Sequence, residues 1–253
     1  MNYQYAIVRV PPETYAEGLT TQSLGQPDYE LTLKQHRRYR DALIKCGLDV
    51  LTMKPDPAFP DSCFVEDTAI VTEHGAIILN LGHRKRKGEQ ETVGTRLAPY
   101  KKSELLRTQG AVDGGDVLRA DSHYFIGLSN RTDQQGADDL GKALAKWGFT
   151  CSTVRVSRVL HLKTGAAYLG DGNILTIKEF AATPEWARFK VHVVDDDEWY
   201  ASNSLRVNDF VLVPAGFPKT KKLVTSLDYK VVDVDMSEFY KMDGSLSCLS
   251  LLF

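Results

Sequence analysis

Near one end of the chain a cysteine, Cys248, lies in Asp243-Gly244-Ser245-Leu246-Ser247-Cys248-Leu249-Ser250. A thiolate is a strong nucleophile, but it needs a base and a suitable charge environment to act as one. Taken alone, Cys248 is a small core thiol. Its company changes that reading: His161 in Val159-Leu160-His161-Leu162-Lys163, Asp113 in Val112-Asp113-Gly114-Gly115-Asp116, and the pair Glu66-Asp67. Thiol, imidazole and carboxylates together make a nucleophile, a proton carrier and a receptor for a cation. Each also has a plainer reading. His161 can be a hydrogen-bonded core residue, Asp113 a turn residue, and Asp61 and Asp67 strand initiators after Pro60. Glu66-Asp67, however, lies between Phe64-Val65 and Ala69-Ile70-Val71, so both acids are expected to be buried and to need a cationic partner. The glycines after Asp113 allow a ligand to approach the backbone closely.

Two basic stretches add a second sign of charge. The run His83-Arg84-Lys85-Arg86-Lys87 suits a solvated loop, and no aromatic interleaving makes it a nucleic-acid patch. One of its arginines, or Arg131 in Ser129-Asn130-Arg131-Thr132, could hold a substrate carboxylate at the rim of an acidic centre. The combination fits an amino acid with a cationic side chain, its guanidinium inward. Cys248 would attack the guanidinium carbon; His161 would protonate the departing amine and then activate water. The positive substrate should itself favour the thiolate.

These residues are far apart in sequence, so the fold must gather them. The element pattern strand, tight turn, strand, helix, strand recurs: Asp67–Val71 onward, Val117–Val156, Ala166–Val194 with a helix near Pro184–Phe189, and Leu205–Val234. A fifth unit needs both ends of the chain. Its expected elements are a tail strand Leu246–Leu251 beside Tyr5–Val10, a helix capped by Asp28 and stopped by Gly47, and the strand Leu48–Met53. Five such units suggest a closed radial repeat, an α/β five-bladed propeller, with a plain α/β sandwich as the competing architecture. In the radial arrangement the positions at or before each first strand face one axis: Glu66-Asp67, Asp113, His161 with Lys163, Asn203 and Cys248. The stretch from Pro11 to about Pro27 is longer than a usual connection, and is expected to be either a lid or a surface loop.

Composition bounds the rest. The 253 residues suit one catalytic domain spanning 1–253. A net charge of −2 and a pI near 6.3 argue against a general nucleic-acid binder. No apolar run reaches the length of a membrane span, and the N-terminus lacks a signal-peptide pattern. Cysteines 46, 63, 151 and 248 have no zinc or C-x-x-C spacing, so free thiols in the cytoplasm, with no metal, are expected.

Phe59-Pro60-Asp61 with Phe64-Val65-Glu66-Asp67, Asp113-Gly114-Gly115-Asp116, Leu160-His161-Leu162-Lys163 and Asp243-Gly244 through Cys248 resemble the dimethylarginine dimethylaminohydrolases over essentially the whole chain. That family belongs to the guanidine-modifying enzymes of the pentein fold. The resemblance implies hydrolysis of N-omega-methylated arginine to citrulline and a methylamine through a covalent S-alkylthiouronium, with no cofactor. It implies Cys248 as nucleophile, His161 as general acid/base, and Asp113 as the acid beside it, where Glu is frequent in the family. Asp61, Glu66 and Asp67 match substrate-binding acids, and Arg86 and Arg131 the carboxylate-binding arginines. Leu19 matches a lid leucine, and Met242 a position that contacts substrate through its backbone. Asn80-Leu81-Gly82-His83-Arg84-Lys85 departs from the family's Arg-Pro-Gly, which leaves open which basic residue grips the carboxylate. The expected partner is a small guanidine amino acid, with neither nucleic acid nor membrane, and a homodimer is one candidate assembly. Arginine deiminases and amidinotransferases are the neighbouring enzyme readings. Deiminases usually carry His-x-Asp, where this chain has His161-Leu162-Lys163. A non-catalytic pentein-fold binding protein would not need the Cys248, His161 and Asp113 set.

Overall fold

In the computed structural model, which describes residues 2–253, the strands form five separate three-stranded sheets of one design. In every sheet the middle strand runs antiparallel to the first and parallel to the third. An antiparallel neighbour can be reached through a tight turn. Asp121, Asp171 and Asn208 make three of these turns at φ near +55°, a left-handed conformation that Asp and Asn tolerate best among non-glycine residues. A parallel neighbour needs a crossover. Helices Glu89–Leu97, Gln134–Ala145, Pro218–Ser226 and Tyr29–Lys45 supply it in four blades.

The fifth blade joins the ends of the chain: Leu251–Leu252, Tyr5–Arg9 and Asp49–Met53, with Ala6 opposite Leu252 and also opposite Val50. Its helix begins where Asp28 accepts from Leu31 N–H and is followed by Gly47 at φ +91°. The result is the five-bladed α/β propeller expected from element order. Apolar side chains fill the space between blades and helices, among them Tyr39, Leu43, Phe125, Trp186 and Phe239. No helix among the described residues is long and apolar enough to cross a membrane.

Two local expectations are corrected. The tail is not a strand from Leu246 to Leu251: Ser247–Leu249 forms a 3-10 turn, and only Leu251–Leu252 pairs as strand. Asn203 draws the turn inward, because its side-chain carbonyl accepts Ser247 N–H at 3.0 Å. The third blade has no α-helix at Pro184–Phe189, only short 3-10 turns at Lys178–Phe180 and Pro184–Trp186. Buried Phe180 and Trp186 pack edge to face there and cover the sheet as a helix would.

The long N-terminal connection is fastened rather than loose. Tyr15 is buried against Phe64 and Phe239. Leu19 N–H donates to both Asp61 carboxylate oxygens, and Thr21 and Gln22 donate to Asp243.

Candidate active site

Before the first strand of each blade the chain makes a 3-10 turn: Val65–Thr68, Gly114–Asp116, Leu162–Thr164, Asp196–Ser202 and Ser247–Leu249. Four of these turns touch one another in succession around the axis, 247–249 to 65–68 to 114–116 to 162–164. A 3-10 turn advances about 120° per residue, so neighbouring side chains point in different directions. Asp67, His161 and Cys248 open on one end of the axis, whereas Glu66, Lys163 and Ser247 line a cavity at the other.

The first end is a small pocket of about 20 Å³ whose lining includes Leu19, Asp61, Asp67, Arg86, Arg131, His161, Met242 and Cys248. Residues from all parts of the chain thus converge as the radial arrangement requires. Asp113 stands one layer behind, fully buried, with Oδ2 3.1 Å from His161 Nε2. Its other oxygen accepts Gly82 N–H at 2.8 Å, which fixes the carboxylate plane. The glycines after Asp113 make room for protein rather than ligand. A Cβ on Gly115 would lie 2.6 Å from His161 Nδ1, and one on Gly114 would lie 2.1 Å from the Glu66 carbonyl.

Charge in this layer is dense and largely paired. Burial works against an imidazolium at His161, but Asp67, Asp116 and Asp113 outweigh it and hold the ring's pKa up at about 9. Burial likewise opposes ionisation of Asp67, yet His161, Arg86 and the Gly115 N–H bring it down to about 2. Asp67, Asp113 and His161 present donor atoms within 4.8 Å of one another. The carboxylates already accept from Gly115 N, Arg86, Gly82 N and the ring, so the imidazolium is the cation they hold. Cys248 is half-buried, and its thiol pKa is pushed well up by burial and by Glu66 and Asp67. Asp61 is also raised by burial, against the pull of Arg86.

One expected substrate contact faces elsewhere, and a second lines the pocket with its donors already engaged. Glu66 does not line the pocket. Its Oε1 is 2.6 Å from Lys163 Nζ, and its Oε2 accepts from Ser247 Oγ at 2.8 Å, facing the opposite cavity. Arg86 is only 4% exposed and points inward, unlike its exposed neighbours Arg84, Lys85 and Lys87. Its donors go to Glu89, to Asp67 at 2.5 Å and to the Phe64 carbonyl. Burial opposes this guanidinium's charge, and Glu89 and Asp67 more than offset it. Arg131 is the less committed cation of the lining, 3.7 Å from Asp113 and 13% exposed.

Sequence reasoning missed Glu89 and Asp116. Glu89 follows Arg86 by three residues at a helix start, a spacing that suits an ion pair. Asp116 closes the short 3-10 turn that Asp113 precedes, its N–H on the Asp113 carbonyl, so the two acids sit at the two ends of one turn.

Comparison with known proteins places this geometry. A family model described as N,N dimethylarginine dimethylhydrolase, eukaryotic, matches residues 15–171. The N(G),N(G)-dimethylarginine dimethylaminohydrolase of Pseudomonas aeruginosa is 40% identical over 253 residues, covering 99% of this chain and all of that protein. A solved structure of the Pseudomonas aeruginosa enzyme, a cysteine-to-serine variant complexed with citrulline, superposes with a TM-score of 0.98 at 40% identity over the full length of both chains. Another solved structure, a dimethylarginine dimethylaminohydrolase histidine-to-glycine variant adduct with S-methyl-L-thiocitrulline, reaches 0.97 at 40% identity, over 99% of this chain and all of the other. A converging thiol, acid-flanked imidazole and buried carboxylates, on a propeller matched end to end, place this chain in the dimethylarginine dimethylaminohydrolase family.

Proposed function

We propose that this chain hydrolyses N-omega-methylated arginine to citrulline and a methylamine, with Cys248 as nucleophile and His161 as acid and base. The observation that carries the reading is that Cys248, His161 and Asp67 line one pocket together with Arg131. A guanidinium entering that pocket brings positive charge to a thiol otherwise kept protonated by burial and by Glu66 and Asp67, so binding favours the thiolate, its proton passing to solvent. The sulfur adds to the guanidinium carbon. The carbon–nitrogen bond to the methylated nitrogen then breaks as that nitrogen takes the proton of His161. An S-alkylthiouronium and neutral His161 remain. His161 next removes one proton from water, the oxygen adds to the same carbon, and the carbon–sulfur bond breaks as the remaining hydroxyl proton passes to solvent. The products are the ureido group of citrulline and the thiolate. Asp113 orients the ring, and Asp61 and Asp67 offset the substrate's charge. Arg131 is assigned the substrate carboxylate, with Arg86 holding Asp67 in place. Leu19 and Met242 close the pocket's sides.

Methylated substrate is favoured over arginine by what stands two residues after His161. Lys163 turns away to Glu66, so that position adds no carboxylate to grip further N–H donors. Free thiols at all four cysteines suit a reducing compartment, and cytoplasmic residence is part of the proposal. The test is citrulline release from arginine, monomethylarginine and asymmetric dimethylarginine. Turnover of the methylated substrates is expected; citrulline from arginine alone would make the chain a deiminase.

A further inference from the structure

We propose that Asp116, a carboxylate that does not line the pocket, is the positioning residue that locks His161 and Arg131 into one unit. The proposal rests on the reading of His161 as acid and base. Asp116 is fully buried. Its Oδ1 accepts Leu162 N–H at 2.9 Å, the first peptide group of the turn that His161 opens. Its Oδ2 accepts from Ser129 Oγ at 2.6 Å, and Ser129 Oγ accepts Arg131 N–H at 2.9 Å. One carboxylate therefore fastens the backbone beside the imidazole and the loop that carries the rim arginine. The same loop returns to the acid turn, because Thr132 Oγ1 accepts Asp113 N–H at 3.1 Å. Asp113 and Asp116 bracket a single 3-10 turn, Asp116 N–H donating to the Asp113 carbonyl at 3.0 Å. The imidazole is thus held at its nitrogen by one end of the turn and at its backbone by the other.

The packing leaves little freedom for this contact to vary. A Cβ on Gly127 would lie 2.6 Å from Asp116 Oδ1 and 2.9 Å from Leu162 Cβ, so the strand backbone presses the carboxylate against the His161 turn. The charged and titratable groups around the ring are Asp67, Asp113 and Asp116, with Arg86 behind Asp67, Arg131 beside Asp113, and Cys248 across the pocket. Of the three acids, Asp113 holds the ring itself, whereas the Asp116 carboxylate holds the backbone of the His161 turn and Ser129 of the Arg131 loop. Burial raises its own pKa to about 6, against the pull of His161 and its hydrogen-bond donors, so it is largely ionised above neutral pH.

Two variants separate charge from support. Asp116→Asn keeps an acceptor for Leu162 N–H and can offer its amide to Ser129 Oγ, so it removes charge with little change of shape. Asp116→Ala removes both anchors. The readouts are the NMR titration of the His161 ring in the free protein, and kcat and KM for asymmetric dimethylarginine across pH. With Asp116→Asn, the ring titration and the alkaline limb of the rate profile are expected to move down together by about one pH unit. With Asp116→Ala, kcat should also fall by about tenfold and KM rise as the Arg131 loop loosens. Unchanged kcat and KM in a folded Asp116→Ala protein, or a ring titration unmoved in both variants, overturns the proposal and leaves a merely structural acid. If the wild-type protein does not turn over methylarginine, the functional reading fails, and the ring titration still decides the role of Asp116.

Discussion

The axial layer has two faces, built from neighbouring residues of the same turns, and they differ in a way that size alone misreports. On one face a cavity of about 290 Å³ is floored by Glu66, Lys163, Asn203 and Ser247. These groups satisfy one another: Glu66 binds Lys163 and Ser247, and Asn203 bonds the Lys163 carbonyl and Ser247. Polar groups on its rim are engaged too, Arg119 with Glu73 and Tyr168 with Asp121. The other face holds about 20 Å³, yet collects Cys248, His161 and Asp67. A thiol raised by burial and adjacent acids is eased toward the thiolate by an arriving cation, and an imidazole held charged is made readier to give up its proton, neither of which a closed ion pair offers. The proposed reaction belongs on the small face, whose charges are poised, while the groups of the large face hold one another.

That contrast is broken or sharpened most strongly within the Ser247–Leu249 turn. Cys248→Ser should lower turnover by at least about a thousandfold with the fold intact. Ser247→Ala, its neighbour on the supporting face, should retain most activity and show its cost in thermal melting. Comparable loss of turnover in both would erase the distinction. Asp67→Asn should lower kcat/KM by about a hundredfold, as expected for loss of a buried charge facing the substrate. Glu66→Gln instead leaves Lys163 without its partner and should cost about 3 kcal/mol in denaturant unfolding. At the rim, Arg131→Lys keeps the charge but loses the planar fork, so KM should rise by about tenfold with kcat nearly unchanged.

The pH dependence follows the same division. His161 has its folded pKa, about 9, above its ordinary 6.5. Its imidazolium therefore adds stability that is complete below 6.5 and is lost as pH rises through 9, and turnover should fall over the same alkaline range. Asp67 lies below its ordinary 3.8, at about 2, so its ionised form stabilises above 3.8 and that contribution is lost as pH falls through 2. Melting curves of wild type and Asp67→Asn should converge in acid. A constant gap between them down to pH 2 would contradict this.

Much of the architecture was legible because it rests on strong local signals. The Asp28 cap, Gly47, the Asn208-Asp209 turn and the β-branched strands carry the five-unit pattern, and that pattern alone brings Cys248, His161 and Asp113 to one axis. What could not be read is the direction in which axial side chains point. In a 3-10 turn Glu66 and Asp67 are equivalent in sequence but face opposite ends of the molecule, and apolar periodicity is silent there. The tail misled for a related reason. Leu246 to Leu251 alternates as a strand would, but Asn203, 44 positions away, captures Ser247 N–H and bends the segment into a turn. Arg86 shows the same limit: it sits among exposed basic residues, and only the position of Glu89 and Asp67 turns it inward.

The order in which the fifth blade is assembled has a consequence for the living chain. Tyr5–Arg9 is the middle strand of its sheet, and one of its edges is covered by the short segment Leu251, Leu252 and Phe253. A polypeptide emerging N-terminus first carries that edge uncovered until the segment about 240 residues later is made. The sulfur is delivered by the same short segment that seals it. With Cys248 as the proposed nucleophile, a chain that lacks this segment lacks the nucleophile as well, and closure of the ring and completion of the proposed site become one event.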